Sequence, residues 1–299
     1  MDSRSDPPHP GTLYVVATPI GHLQDITLRA LEVLRAVDLV AAEDTRKTAQ
    51  LLARHGIATP RVSYHEHNEA RRAPELLGRL RRGASIALVS NAGTPGISDP
   101  GFRLVSAAAG GGIRIVPVPG PSAAAAALSA SGLPTDAFVF LGFLSKKSGK
   151  RLEQIKALAS EGRTVIVYES PRRIRPLIAE LLGALGDRRA VLAREMTKLH
   201  EEFLRGRLSA IQAALADRAD IRGECTLLLA GAESQPIQPR EALADEIHRA
   251  LASGPRSLPE LARELAQRHG LPRKAVYVAA MKIKTENTRR RTENDPRPD

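Results

Sequence analysis

Residues 90–101 concentrate the chain's most chemically able groups, in the order Ser-Asn-Ala-Gly-Thr-Pro-Gly-Ile-Ser-Asp-Pro-Gly. Asp99 offers a carboxylate, and Ser90, Asn91, Thr94 and Ser98 offer hydrogen bonds. Gly93, Gly96 and Gly101 let the backbone take positive φ and come close to a ligand. Pro95 and Pro100 stiffen the same stretch. The plainer alternative is an ordinary connection built of turn residues. Twelve residues is long for such a connection, and long loops are disproportionately functional. Further polar clusters begin at Thr18 (through Pro19, Gly21 and His22 to Asp25), at Glu43 (Asp44, Thr45, Arg46, Lys47), at His65 (Glu66, His67, Asn68, Glu69) and at Pro117 (through Pro121 to Ser122).

Several chemistries are unsupported. No G-x-G-x-x-G follows a strand, so a standard dinucleotide site is not expected. Residues 142–151 hold two glycines and several basic residues but lack the phosphate-loop spacing, and read better as a basic loop facing substrate. No G-x-S-x-G surrounds Ser122, so it is not expected to be a hydrolase nucleophile. His65 and His67 share a side only on a strand, and no further His or Cys completes a ligand set; no metal is expected.

These clusters recur just after short apolar runs. Strands are expected at 13–17, 39–42, 62–64, 86–89 and 113–116, with helices between them at about 28–37, from Thr45 as N-cap, at 69–82, at 102–109 and at 123–129. Asp25 or Thr27 can cap the first helix. Alternating strands and helices argue for an α/β fold with a mostly parallel sheet, whose carboxyl-end loops share one edge. The loops at Thr18, Glu43, His65, Ser90 and Pro119 are therefore expected to converge.

A second half restarts after residues 131–135. Strands are expected at 137–141, 164–168, 190–193 and 225–230, the last containing Cys225, the single cysteine, which excludes an intramolecular disulfide and reads as a buried thiol. The expected organisation is a disordered 1–11, α/β domains over 12–132 and 136–232, a linker at 233–239, a helix-turn-helix-like extension over 240–284 carrying Lys274, Lys282 and Lys284, and a disordered 285–299.

The 299-residue chain is 42% hydrophobic but only 3% aromatic, without Trp, so Val, Ile, Leu and Ala must fill its core. The first ten residues lack the apolar region of a secretory signal, and no window approaches the ~20 apolar residues of a membrane span. A soluble cytoplasmic protein is expected. Forty-four Lys+Arg against 33 Asp+Glu give a net charge of +11, which favours a polyanionic partner, most simply nucleic acid, although anionic small molecules would be served equally well.

Residues 13–25, 42–46, 90–101, 118–123, 167–173 and 194–198 together, in that order, closely resemble the ribosomal small subunit methyltransferase I family of the tetrapyrrole-methylase superfamily. The resemblance spans about 13–231, and the family also has a helical extension; His22, where Asn is common, is a small departure. It implies two α/β domains of the class III methyltransferase type with a cofactor cleft between them, a homodimer, and S-adenosylmethionine-dependent methylation of a cytidine ribose 2′-hydroxyl in small-subunit ribosomal RNA. The assembled small ribosomal subunit is expected as the preferred substrate. By motif, Pro19, Ser90, Asn91, Ala92, Gly93, Thr94, Gly96, Asp99, Pro121, Ser122 and Ala123 map to cofactor-binding positions; Phe143, Tyr168 and Thr226 are placed there by strand-end position.

Such a transfer needs the 2′-oxygen aligned behind the methyl and help in removing its proton. Asp44, Glu43, Asp25 and Glu66 are the candidate bases, with Asp44 favoured and Arg46 orienting RNA phosphate or the carboxylate; Glu43 and Asp44 could equally serve only as helix caps. Lys146, Lys147, Lys150, Arg151, Arg172, Arg173 and Lys274 are candidate RNA contacts, or a solvated face. Tyr64, Phe143 and Tyr168 could stack an extruded cytosine or belong to the core. Rival readings are a methylase of tetrapyrrole precursors and a non-catalytic nucleic-acid-binding protein acting through residues 241–284.

Overall fold

The computed structural model describes residues 11–232, 241–253 and 257–293. They divide into two compact units, within Met1–Ala232 and Glu233–Asp299. The expectations for residues 1–10, for the linker at 233–239 and for residues 294–299 lie outside the described residues.

The first unit holds two five-stranded sheets. β1 (Thr12–Val16), β2 (Leu39–Ala42), β3 (Arg61–Ser63), β4 (Ile86–Val89) and β5 (Arg114–Val118) pair in the order β3-β2-β4-β1-β5, parallel throughout. Continuous apolar runs make β2 and β4 buried on both faces, as the interior of a parallel sheet requires. Pro117, which cannot donate to a ladder, sits on the edge strand β5.

α1 (Leu28–Ala36) and α2 (Thr45–Arg54) cover one face, packing Leu34 and Leu52 against Val16, Val40 and Val89. α3 (Glu69–Arg81) and α4 (Phe102–Gly110) cover the other, packing Leu76, Leu80 and Leu104 against Leu13, Ile86 and Leu88. Right-handed crossovers explain the division: the chain moves one way across the sheet through α1 and α2, and returns through α3 and α4. Neighbouring strands β1 and β4 thus send their exits in opposite directions, which opens a crevice at their carboxyl ends. Tyr64 is fully buried, and its hydroxyl accepts the Leu104 N–H at 3.2 Å; of its two expected roles it has the core one.

α5 (Ala123–Ser131) follows, longer by two residues than the expected 123–129. β6 (Phe138–Phe143), β7 (Thr164–Glu169), β8 (Arg189–Arg194), β9 (Glu202–Arg207) and β10 (Cys225–Leu229) form the second sheet in the order β6-β7-β10-β8-β9. Only β6 and β7 run parallel; β7/β10, β10/β8 and β8/β9 are antiparallel. The expectation of mostly parallel pairing fails here because β10, last in sequence, inserts between β7 and β8. β9 and α8 (Leu208–Ala216) had no counterpart in the sequence reading. β9 is a charged edge strand with no buried residue, so its pairing comes from tertiary context rather than propensity. α6 (Ser148–Lys156), α7 (Ile174–Leu185) and α8 cover one face of this sheet. The small residues Ala124 and Ala127 of α5 pack on the other, against Ile166, Val191 and Leu228.

In the second unit, α9 (Glu241–Ala252), α10 (Leu258–His269) and α11 (Arg273–Glu293) share a core that includes Ile247, Leu265, Val276 and Ala280. The Ser257 hydroxyl caps α10 by accepting the Glu260 N–H, and Gly270, at φ 63°, ends it. α11 continues to Glu293, which corrects the expected disorder over residues 285–293. Residues 285–293 are polar but contain neither Gly nor Pro; polarity removes burial, not helix propensity. Among the described residues no helix is long and apolar enough to cross a membrane.

Candidate active site

Four of the five expected loops meet at the crevice. Thr18 and Gly93 exchange backbone hydrogen bonds of 2.9 Å each way, and the Thr18 hydroxyl donates to the Ser90 carbonyl at 3.1 Å. Glu43 Oε2 accepts the Asn91 N–H at 2.9 Å. The Thr94 hydroxyl donates to the Pro121 carbonyl at 3.3 Å. The His65 loop instead closes on itself, its N–H donating to Asn68 Oδ1 at 2.9 Å, and lines neither cavity described below. Among the described residues no three His, Cys, Asp or Glu side chains group as metal ligands.

A cavity of about 310 Å³ opens there, lined by Ala92, Gly93, Thr94, Ser98, Asp99, Ser122 and Ala123 on one side and by Phe143, Tyr168, Cys225 and Thr226 on the other. Its size is that of a small-molecule site, ~300–1,000 Å³. The Tyr168 hydroxyl accepts the Ala124 N–H at 3.0 Å, and Phe140 and Phe143 lie edge-on to its ring. Tyr168 is thus fixed at the mouth of α5, while Phe143 stays 55% exposed. Cys225 is buried, as expected, and burial pushes its thiol up to about 11.

The carboxylates differ sharply. Burial raises Asp99 to about 7, helped by the nearby charges of Glu43 and Glu224 and opposed by the Ser90 hydroxyl. Asp44 goes the other way. The Arg46 side chain, and then its backbone N–H, hold the Asp44 carboxyl down at about 2. Asp44 Oδ1 accepts the Arg46 N–H at 2.8 Å, and Oδ2 accepts from Arg46 Nη2 at 3.0 Å. Asp44, not Thr45, is therefore the N-cap of α2, and Arg46 turns back onto it. Asp25 ends a short 3-10 turn, Leu23–Asp25, and with Asp44 and Glu43 lines neither cavity.

A second cavity, about 340 Å³, adjoins the first and shares Ile20, Ala92 and Glu224 with it. Pro19, Ser90 and Asn91, mapped by resemblance to the cofactor, line this second cavity and not the first; Gly96 and Pro121 line neither. The far wall is the loop after β8. Glu195 and Thr197 there have φ of 50° and 64°, uncommon for any residue with a Cβ and an outlier for a β-branched one. Two glycines admit this loop. A Cβ on Gly223 would lie 2.1 Å from the Glu195 carboxyl carbon, and one on Gly21 would lie 2.5 Å from Lys198 Cγ. Lys198 Nζ bridges Glu195 Oε1 at 2.8 Å and Glu224 Oε2 at 3.1 Å. None of these three was singled out as a site residue, although residues 194–198 carried part of the resemblance.

The basic candidates separate by partner. Arg151 makes a two-pronged pair with Glu180, at 2.7 and 2.6 Å. Arg173 Nε donates to Glu169 Oε1 at 2.7 Å, and that carboxylate is 1% exposed. Both arginines hold the fold together. Lys146, Lys147, Lys150 and Arg172 are exposed, as is Lys274 at the start of α11.

The tetrapyrrole (corrin/porphyrin) methylase family model matches residues 12–212. The chain is 46% identical over 279 residues to the ribosomal RNA small subunit methyltransferase I of Synechocystis sp., covering 92% of this chain and 99% of that one. It is 51% identical over 223 residues to the protein of that name from Pseudomonas aeruginosa, covering 74% and 79%. A solved structure of uroporphyrin-III C-methyl transferase from Thermus thermophilus, complexed with S-adenyl homocysteine, shares the fold with a TM-score of 0.53 at 19% identity, over 73% of this chain and 97% of that one.

Proposed function

The chain belongs to the ribosomal RNA small subunit methyltransferase I family within the tetrapyrrole methylases, and from that premise we propose that it transfers a methyl group from S-adenosylmethionine to the ribose 2′-hydroxyl of a cytidine in small-subunit ribosomal RNA. The observation that carries this reading is the pair of adjoining cavities, with the Glu224 carboxylate on their common wall and Asp99 in the first. S-adenosylmethionine brings an ammonium and a sulfonium. A cation beside Asp99, Glu43 and Glu224 would relieve the mutual repulsion that helps keep the Asp99 proton on. Phe143 and Tyr168 offer the flat apolar surface that suits adenine, and the amides and hydroxyls of residues 92–94 and 122 suit the ribose and carboxylate.

When bound, the cofactor supplies an electrophilic methyl whose sulfur leaves as a neutral thioether. The remaining requirement is a group to accept the 2′-hydroxyl proton. Asp44, held near 2 by Arg46, is a weak acceptor at neutral pH. Asp99, at about 7 in the ligand-free first cavity, is raised chiefly by burial, a cause that persists when the cofactor's cation offsets the neighbouring carboxylates, and so suits a general base better than Asp44. In this reading an Asp99 carboxylate oxygen takes the proton, and Glu43 braces the loop through Asn91. Lys146, Lys147, Lys150 and Arg172 serve as phosphate contacts, with the assembled small subunit as substrate and a homodimer as the working form.

The test is labelled methyl transfer to small subunits lacking the modification, with products resolved by mass spectrometry. 2′-O-methylcytidine is the expected product. A base-methylated product, or transfer only to a polycarboxylate tetrapyrrole, would overturn the reading.

A further inference from the structure

The second cavity has a composition opposite in sign to the first. One wall is α2, where Lys47, Gln50 and Leu51 line it. Arg54 follows one turn on and lines an adjoining hollow that shares Gly21, Leu23 and Lys198 with the cavity. Positions 47, 50, 51 and 54 fall on one face of a helix, so this row is set by the sequence of α2. Lys47 and Arg54 are exposed and take part in no ion pair among the described residues. Lys198, across the cavity, is held by Glu195 and Glu224 and so keeps the Glu224 carboxylate at the wall common to both cavities. Asn91 lines the cavity between these walls, while its Oδ1 is turned away from solvent and buried.

Charge therefore changes along a continuous path, from carboxylates around the first cavity to free cations at the rim of the second. A cationic ligand suits the inner end and a phosphodiester strand the outer. We propose that the second cavity seats the acceptor nucleotide, with its sugar at the Ile20–Ala92–Glu224 wall, its base beside Asn91, and its flanking phosphates on Lys47 and Arg54. This rests on the methyl-transfer reading above and assigns the acceptor side of that site. It also moves Asn91, which lines the second cavity and not the first, from the cofactor to the nucleotide.

The side-chain heads of Lys47 and Arg54 are solvent-exposed, so replacing both leaves the core of α2 in place. The experiment compares wild type with Lys47→Ala/Arg54→Ala in three readouts: S-adenosylhomocysteine affinity by calorimetry, equilibrium binding of small subunits lacking the modification, and KM and kcat for transfer across 50–200 mM salt. Expected are an unchanged cofactor affinity, small-subunit binding and KM weakened about tenfold or more at low salt, and a salt slope of log binding reduced by about 1.4–1.8, the value for two phosphates. Wild-type substrate binding and salt slope in the double variant would overturn the proposal while leaving methyl transfer intact. A tenfold loss of cofactor affinity with unchanged substrate binding would assign the cavity to the cofactor instead. Failure of the wild-type protein to methylate ribosomal RNA at all would overturn the underlying reading, and the acceptor assignment with it.

Discussion

Gly21 and Lys198 are so close that a Cβ on the glycine would lie 2.5 Å from Lys198 Cγ, and the same atom would lie 3.0 Å from the Met196 carbonyl oxygen. The Lys198 side chain can swing away; the carbonyl belongs to a loop held at Glu195 and Thr197 in left-handed backbone and cannot yield as easily. Gly21→Ala should displace this loop, and a misplacement of about 1 Å can cost on the order of 100-fold in rate. Methyl transfer by Gly21→Ala is expected to fall at least tenfold with little change in the melting temperature. Gly149→Ala, whose new Cβ would meet open space, is the control. Equal activity of the two variants would show that the loop position is unimportant.

Asp99 should make both activity and stability depend on pH near neutrality. Its folded pKa of about 7 lies above the ordinary 3.8. The carboxyl's contribution to stability is therefore fully present below about pH 4 and is lost as pH rises through 7. Ligand-free Asp99→Asn should lose less stability than wild type between pH 5 and 8, measured by denaturant melts. In single-turnover transfer the wild-type rate should rise about tenfold per pH unit and then level at a pH below the ligand-free value of about 7, because the bound cofactor's cation lowers Asp99, as expected for a base that must be ionised. A similar profile in Asp99→Asn would remove Asp99 as the base.

Tyr64 tests the core rather than the chemistry. Removing its hydroxyl leaves the buried Leu104 N–H at the start of α4 without its acceptor. Tyr64→Phe should cost about 1–3 kcal/mol of unfolding free energy, with cofactor affinity unchanged. An unaltered denaturation midpoint would mean that the helix end finds another partner.

Arg151 and Lys150 are neighbours with different work. Arg151→Ala strands the partly buried Glu180 carboxylate, so its effect should appear in thermal melts. Lys150→Ala removes only an exposed cation. Its effect should appear as a weaker salt dependence of small-subunit binding, by about 0.7–0.9 in log–log slope for one phosphate, with the melt unchanged. The opposite assignment of effects would place the RNA surface elsewhere.

What the amino-acid sequence determined by itself was local. Apolar runs defined the strands of the first sheet, 3.6-residue periodicity its helices, and the glycines and prolines of residues 90–101 the loop at its centre. The identity of the family was also legible, because its motifs are contiguous. Other features depended on residues far apart in the chain. β10 enters between β7 and β8 because strand pairing satisfies backbone groups wherever the fold brings them together, and no local pattern encodes that partner. Asp44 and Asp99 are the same residue type after similar strands. Only the fold sets Arg46 onto one, and burial with Glu43 and Glu224 around the other, so that their proton affinities part by several powers of ten. Arg151 and Lys150 likewise separate only once Glu180 arrives from α7. Charge, burial and strain depend on what lies within a few ångströms, and for these residues tertiary structure alone decides that.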